Sequence, residues 1–304
     1  MFPLAWPYPP EQLNGYWGPT TATIDWCEEN YVVLPYIADA INTTTNLMFF
    51  LLSGIAIYNT IKQRMDQRFV WMAMGFMLVG IGLWLFHMTL RYEYQLLDEL
   101  PMIYATCIPF WLVFSEFKTQ RQLARIGGAI FMAANVLSLV YMYIYKNPTL
   151  HQAAYGVLNA AIILKLMVLT QQHVTDRHAR QQLMKTMYWG VGLFLLGYVL
   201  WNLDIHLCGF WRNLRRSIGQ PYGFILEGHG WWHIFTGSGV YYYLVYEQYL
   251  RLWLQGTQKF YKFTWVGGWL PMVILQDPKG LTTYRNARKL AQADEEFLKS
   301  EKSQ

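Results

Sequence analysis

The chain has 304 residues, 54% hydrophobic and 17% aromatic, with only 14% charged. Soluble domains carry about 25% charged residues, so a soluble globular class is set aside and a membrane class takes its place. A formal net charge of +5 does not point to nucleic acid, because the basic residues are scattered among short loops and a charged tail.

The opening stretch, 1–12, holds no Lys or Arg and has prolines where a signal peptide has its apolar core. No cleavable signal is expected, and the first spanning helix is expected to direct insertion. About 20 apolar residues cross a bilayer as helix, and seven windows meet that need: 38–58, 70–90, 97–114, 126–145, 151–169, 187–207 and 226–250. The expected architecture is an all-α integral membrane protein, a seven-transmembrane helix bundle. It divides into an N-terminal segment (1–37), a catalytic bundle (38–250) and a tail (251–304), with disorder or a solvated helix expected from Lys279 to Gln304.

Lys and Arg are retained on the cytoplasmic side. Lys62, Arg64 and Arg68, then Lys118, Arg121 and Arg125, then Arg177, Arg180 and Lys185, and the tail after Arg251 therefore mark one side. The N-terminus and the loops around Arg91, Lys146 and Cys208 then face the lumen, and the C-terminus the cytosol. Arg212, Arg215 and Arg216 break the pattern, being on the wrong side.

Alternation brings three histidines to the lumenal face: His87 at the end of the second span, and His229 with His233 at the start of the last. Positions i and i+4 share a helix face, so His229 and His233 can grip one ion together, and His87 completes three ligands. Singly, each histidine reads as an interface residue. Together they match catalytic zinc, which takes three protein ligands and keeps a fourth position for water, whose pKa falls to about 7. Hydrolysis is the natural chemistry. Asp98, opening the third span, is the expected general base and acid; Glu99 beside it fits a charge favoured by the helix dipole.

Cys27 and Cys208 fall on the inferred lumenal side, where disulfides form, while Cys107 lies inside a span. A Cys27–Cys208 bridge is expected, with two free thiols as the alternative. Asp25, Glu28, Glu29 and Asn30, with Asp39 beyond, are dense in oxygen donors, but their spacing is not that of an EF-hand, and alone they read as a solvated acidic turn. Asn42 and Asn46 read as interhelical hydrogen-bonding residues, and the glycosylation pattern at Asn42 is discounted because it enters the membrane. His206 and Trp231-Trp232 read as interface anchors, and His151, His173 and His178 as loop or boundary residues.

Three stretches carry a family resemblance. Gly15-Tyr16-Trp17-Gly18-Pro19-Thr20-Thr21 leads into Ile24-Asp25-Trp26-Cys27-Glu28-Glu29-Asn30-Tyr31. Phe86-His87-Met88-Thr89-Leu90 runs on to Leu97-Asp98-Glu99-Leu100-Pro101-Met102-Ile103-Tyr104, and Gly228-His229-Gly230-Trp231-Trp232-His233-Ile234 follows. With these the chain resembles the alkaline ceramidases, most of all the fungal alkaline phytoceramidases.

The resemblance implies catalytic zinc on His87, His229 and His233, proton transfer by Asp98, and a disulfide on Cys27 and Cys208. It also implies a calcium ion on Asp25, the Trp26 carbonyl, Glu28, Asn30 and Asp39, the last usually Glu in the family. A ceramide-type lipid becomes the expected substrate, cleaved at its N-acyl bond, with an alkaline optimum and residence in endoplasmic reticulum or Golgi membranes. One position departs: Leu83 stands where the family usually has a serine that donates to the developing oxyanion, which implies reduced activity or another donor. Leu83 also supports the alternative, a seven-helix receptor or lipid sensor with structural zinc, like the adiponectin-receptor type.

Overall fold

The computed structural model describes residues 3–301, with side chains through residue 291. Helices dominate. The first apolar run forms two, α1 (Ala40–Thr45) and α2 (Leu47–Lys62), with Asn46 between them. Long helices follow: α3 (Arg68–Thr89), α4 (Tyr92–Phe114), α5 (Gln120–Leu139), α6 (Pro148–His173) and α7 (Arg177–His206). A short α8 (Cys208–Ile218) precedes α9 (Gly228–Leu254). Then come a β-hairpin and α10 (Pro278–Glu301).

Local chemistry sets several of these starts. Thr119 and Gln122 form a reciprocal capping box on α5, Asn147 caps α6 with Pro148 at its first position, and Asp176 caps α7 through the Ala179 amide at 2.6 Å. α3 ends at Leu90, whose φ of 51° is left-handed. Its 22 residues span about 33 Å at 1.5 Å per residue, the thickness of a bilayer core.

Among the described residues six helices, counting α1 with α2, are long and apolar enough to cross a membrane, and Leu51, Leu78, Leu164 and Leu196 are among many large apolar side chains left exposed. This is a multi-pass membrane protein. α9, the expected seventh span, is long enough at 27 residues, yet it is not among the six. Its Gly, His, Trp and Tyr residues lower its apolarity, and protein covers it: Gly239 lies so near α7 that an added Cβ would meet the Gly190 carbonyl at 2.9 Å.

The N-terminal segment closes one end of the bundle. Its small hairpin pairs β1 (Asn14–Gly15) with β2 (Gly18–Pro19), and its backbone is tied to the end of α3: the Ala38 amide donates to Met88 (3.0 Å) and the Asp39 amide to His87 (2.9 Å). The Cys27–Cys208 disulfide joins this segment to α8. The three arginines that broke the charge pattern each meet a carboxylate here: Arg212 with Glu11 (2.8 Å), Arg215 with Glu227, and Arg216 with Glu29.

At the opposite end, β3 (Tyr261–Val266) pairs antiparallel with β4 (Leu270–Leu275). This hairpin docks on the bundle: Val273 is fully buried, Gln63 accepts from the Leu275 amide (2.8 Å), and Trp265 donates to Gln182 (2.8 Å). The hairpin lies inside the stretch 251–304 expected as tail, and its signature is short: Tyr261-Lys262-Phe263-Thr264-Trp265 alternates as a half-buried strand does. The helical alternative expected from Lys279 matches α10, where Leu281 packs inward.

Candidate metal centre and active site

Under the N-terminal cap, α3, α4 and α9 bring the predicted residues together. One nitrogen from each of His87, His229 and His233 lies within 4.8 Å of the others, and all three rings are buried. Ring centroids stand 4.8 Å apart for His87 and His233, and 4.6 Å for His229 and His233. The interface-histidine reading is thereby set aside.

Each ring is held by a partner the sequence reading did not assign to it. His87 Nδ1 donates to Asp39 Oδ2 at 2.9 Å, which leaves Nε2 without a hydrogen. The Thr45 hydroxyl gives its proton to the Ile41 carbonyl (2.8 Å), so its oxygen accepts from His233 Nδ1 (3.0 Å) and His233 Nε2 is left bare. Trp26 stacks on the His229 ring at 4.2 Å. His229 Nδ1, His87 Nε2 and His233 Nε2 are buried without hydrogen-bond partners. Buried polar atoms seldom stay unpaired, and neutral imidazoles oriented through their other nitrogen, as His87 and His233 are, are what a zinc-type ion requires.

Asp98 sits on the same cavity wall as His229 and His233, 7% exposed, with Oδ1 unpartnered. The dipole explanation for it weakens, since α4 begins at Tyr92 rather than near Leu97 and the dipole acts within about one turn. It fails for Glu99 as well. That carboxylate is buried and receives hydrogen bonds from Tyr141 and from Gln95 (3.3 Å).

The cavity encloses about 660 Å³ and runs between α3, α4, α6, α7 and α9, its walls mostly apolar, a size within the usual ligand range. Leu83 lines it together with Asp98 and Thr236. His151, read from sequence as a boundary residue, is instead buried on this wall and donates from Nε2 to the Glu99 carbonyl at 2.6 Å. Trp232, read as an anchor, lines it too and stacks on Trp201. Asn42 and Asn46 do not bridge helices; Asn46 Nδ2 bonds the Asn42 carbonyl within its own turn (2.8 Å).

The oxygen-rich stretch gathers close by. Asn30 Nδ2 donates to Asp25 Oδ2 (3.2 Å), while Asn30 Oδ1 and Asp39 Oδ1 are buried and unpartnered. Glu28 accepts from the Ile41 and Asn42 amides (2.7 and 2.8 Å), capping α1 from afar. Burial, reinforced by Asp39, pushes its carboxyl up to about 8.

Beyond geometry, the sequence model of the Ceramidase family matches residues 18–274. The chain belongs to the ceramidase family. Within this ceramidase family it is 44% identical to alkaline ceramidase YPC1 of Saccharomyces cerevisiae, over 92% of each chain. It is 37% identical to alkaline ceramidase 3 of Mus musculus, covering 80% of this chain and 89% of that protein. An alkaline ceramidase of Arabidopsis thaliana is 26% identical, over 88% and 98% respectively.

Proposed function

We propose that the chain is a zinc-dependent intramembrane amidase that hydrolyses the N-acyl bond of a ceramide or phytoceramide, giving a sphingoid base and a free fatty acid. One observation carries this: three clustered, buried histidines carry unpartnered nitrogens, and two of them, His229 and His233, line an apolar cavity with the unpartnered carboxylate of Asp98. When bound, zinc would acidify water and polarise a carbonyl; His87, His229 and His233 would hold it. The apolar walls receive the lipid chains and keep bulk water from the amide. Asp98 takes a proton from the attacking water and delivers it to the departing nitrogen as the C–N bond breaks. Family membership does not favour the receptor alternative.

α9 serves as the seventh span, shielded from lipid by its neighbours. The capped end faces the lumen of the endoplasmic reticulum or Golgi, with the C-terminus cytosolic. Asp25, the Trp26 carbonyl, Glu28, Asn30 and Asp39 form a calcium site; a cation there would relieve buried, unpartnered oxygens and the burial strain on Glu28.

The test is metal content followed by turnover. Purified protein should carry one zinc and release fatty acid from ceramide, and His233→Ala should lose both. Because even outer partners of zinc ligands are worth about 10–100-fold, the ligand itself should cost more than about a hundredfold in rate. Full zinc occupancy with no ceramide cleaved would overturn the reading. Asp39→Ala tests the orienting contact: with His87 Nδ1 left unpaired, zinc affinity should fall about 10–100-fold, measured by competition with a chelator. Unchanged affinity would remove Asp39 from that role.

A further inference from the structure

Thr236 is the anomaly on the cavity wall. Buried hydroxyls on helices commonly donate to the carbonyl four residues back, and this chain follows the habit closely: Thr60 to Ala56 (2.7 Å), Thr106 to Met102 (2.7 Å), Thr186 to Gln182 (2.8 Å) and Ser238 to Ile234 (2.7 Å). Thr236, 4% exposed, makes no such bond to Trp232, and its Oγ1 has no partner at all. Thr43 and Ser115 also carry buried unpartnered hydroxyls, but Thr236 alone of these three lines the cavity. Of the other cavity threonines, Thr106 and Thr186 have spent their donors on backbone, and Thr149 is exposed.

Its position is set by helix geometry. At 3.6 residues per turn, Thr236 falls almost two full turns beyond His229 and within one turn of His233, so α9 presents all three on one face. Leu83, an apolar side chain without a donor, lines the same cavity as Asp98 and Thr236.

Resting on the amidase reading above, we propose that the Thr236 hydroxyl is a catalytic hydrogen-bond donor to the substrate's amide oxygen, strengthening as negative charge develops there. The proton stays on Thr236; the hydroxyl binds and releases without being consumed. An uncommitted donor held in place on a buried helix face is what such stabilisation needs, because it costs no reorganisation during reaction. Leu83 leaves that duty to α9.

Three variants decide it: Thr236→Val, which keeps shape and removes the hydroxyl, Thr236→Ser, which keeps the donor, and Thr236→Val combined with Leu83→Ser. The binding probe is a ceramide analogue with an anionic tetrahedral phosphonamidate in place of the amide. Thr236→Val should bind it about 10²–10³-fold more weakly, with zinc content and affinity for the free sphingoid base unchanged. kcat for ceramide should fall by the same factor while KM holds. The serine variant should match the parent, and Leu83→Ser should recover part of the loss. Parental affinity and kcat in Thr236→Val overturn the proposal alone. A parent that binds the anion through Thr236 but cleaves no ceramide overturns the amidase reading and leaves the contact standing, whereas a parent that does neither overturns both.

Discussion

Asp98→Asn should lower ceramide turnover by about 10²–10⁴-fold while zinc content and thermal stability stay at parental values. Asparagine matches the carboxylate in size but can neither accept a proton from water nor return one to a leaving nitrogen, and positioned proton transfer is worth about that factor. Stability should hold because Asp98 Oδ1 has no hydrogen-bond partner to lose. Glu99 is poorly placed to substitute, since its carboxylate is engaged by Tyr141 and Gln95. Single-turnover measurement of fatty-acid release gives the rate of chemistry directly. A variant within about tenfold of the parent would fall below the range for proton transfer and remove Asp98 from that role.

The parts of this site legible in sequence were those with a periodic or chemical signature. The four-residue spacing of His229 and His233 is read from helix geometry alone, and the alternation of spans then assigns His87 to the same end. What held the rings in place was not legible. Asp39 lies 48 residues from His87 and Thr45 lies 188 from His233, and neither spacing has a local period. Asp39 looked like one more acidic oxygen donor. His151 misled for a related reason: following Pro148 at a helix start it resembles an interface residue, and only the packing of α6 on α4 turns it inward. The span count depended on apolarity, which fails for α9, because a helix covered by protein can carry histidine, glycine and tyrosine that a lipid-facing helix cannot. The arginines of α8 look anomalous because Arg212 and Arg216 find their partners Glu11 and Glu29 in the N-terminal segment, far away in the chain, while Arg215 pairs with Glu227 only through the turn that follows α8.

A single methyl group at Gly82 should separate the proposed zinc ligand from the proposed acid. An added Cβ there would stand 2.1 Å from the Leu97 carbonyl oxygen and 2.8 Å from the Asp98 Cα. Both obstacles are backbone, so no side chain can swing aside and α3 and α4 must part. His87 follows five residues later on α3, and the backbone struck is that of Leu97 and Asp98, so the displacement falls on the pair that has to cooperate. Overpacking of this kind costs about 1–3 kcal/mol, and a shift of about 1 Å in a catalytic group can cost about 10²-fold. Gly82→Ala should therefore lower the unfolding temperature and reduce kcat about a hundredfold even where protein remains folded and zinc-loaded. Gly128 supplies the control: on α5 an added Cβ meets nothing within 4 Å, so Gly128→Ala should gain up to about 1 kcal/mol from helix propensity and leave turnover untouched. Parental kcat in Gly82→Ala would mean that the close approach of α3 and α4 serves packing alone, and that Asp98 tolerates a looser position than proton transfer beside the histidines allows.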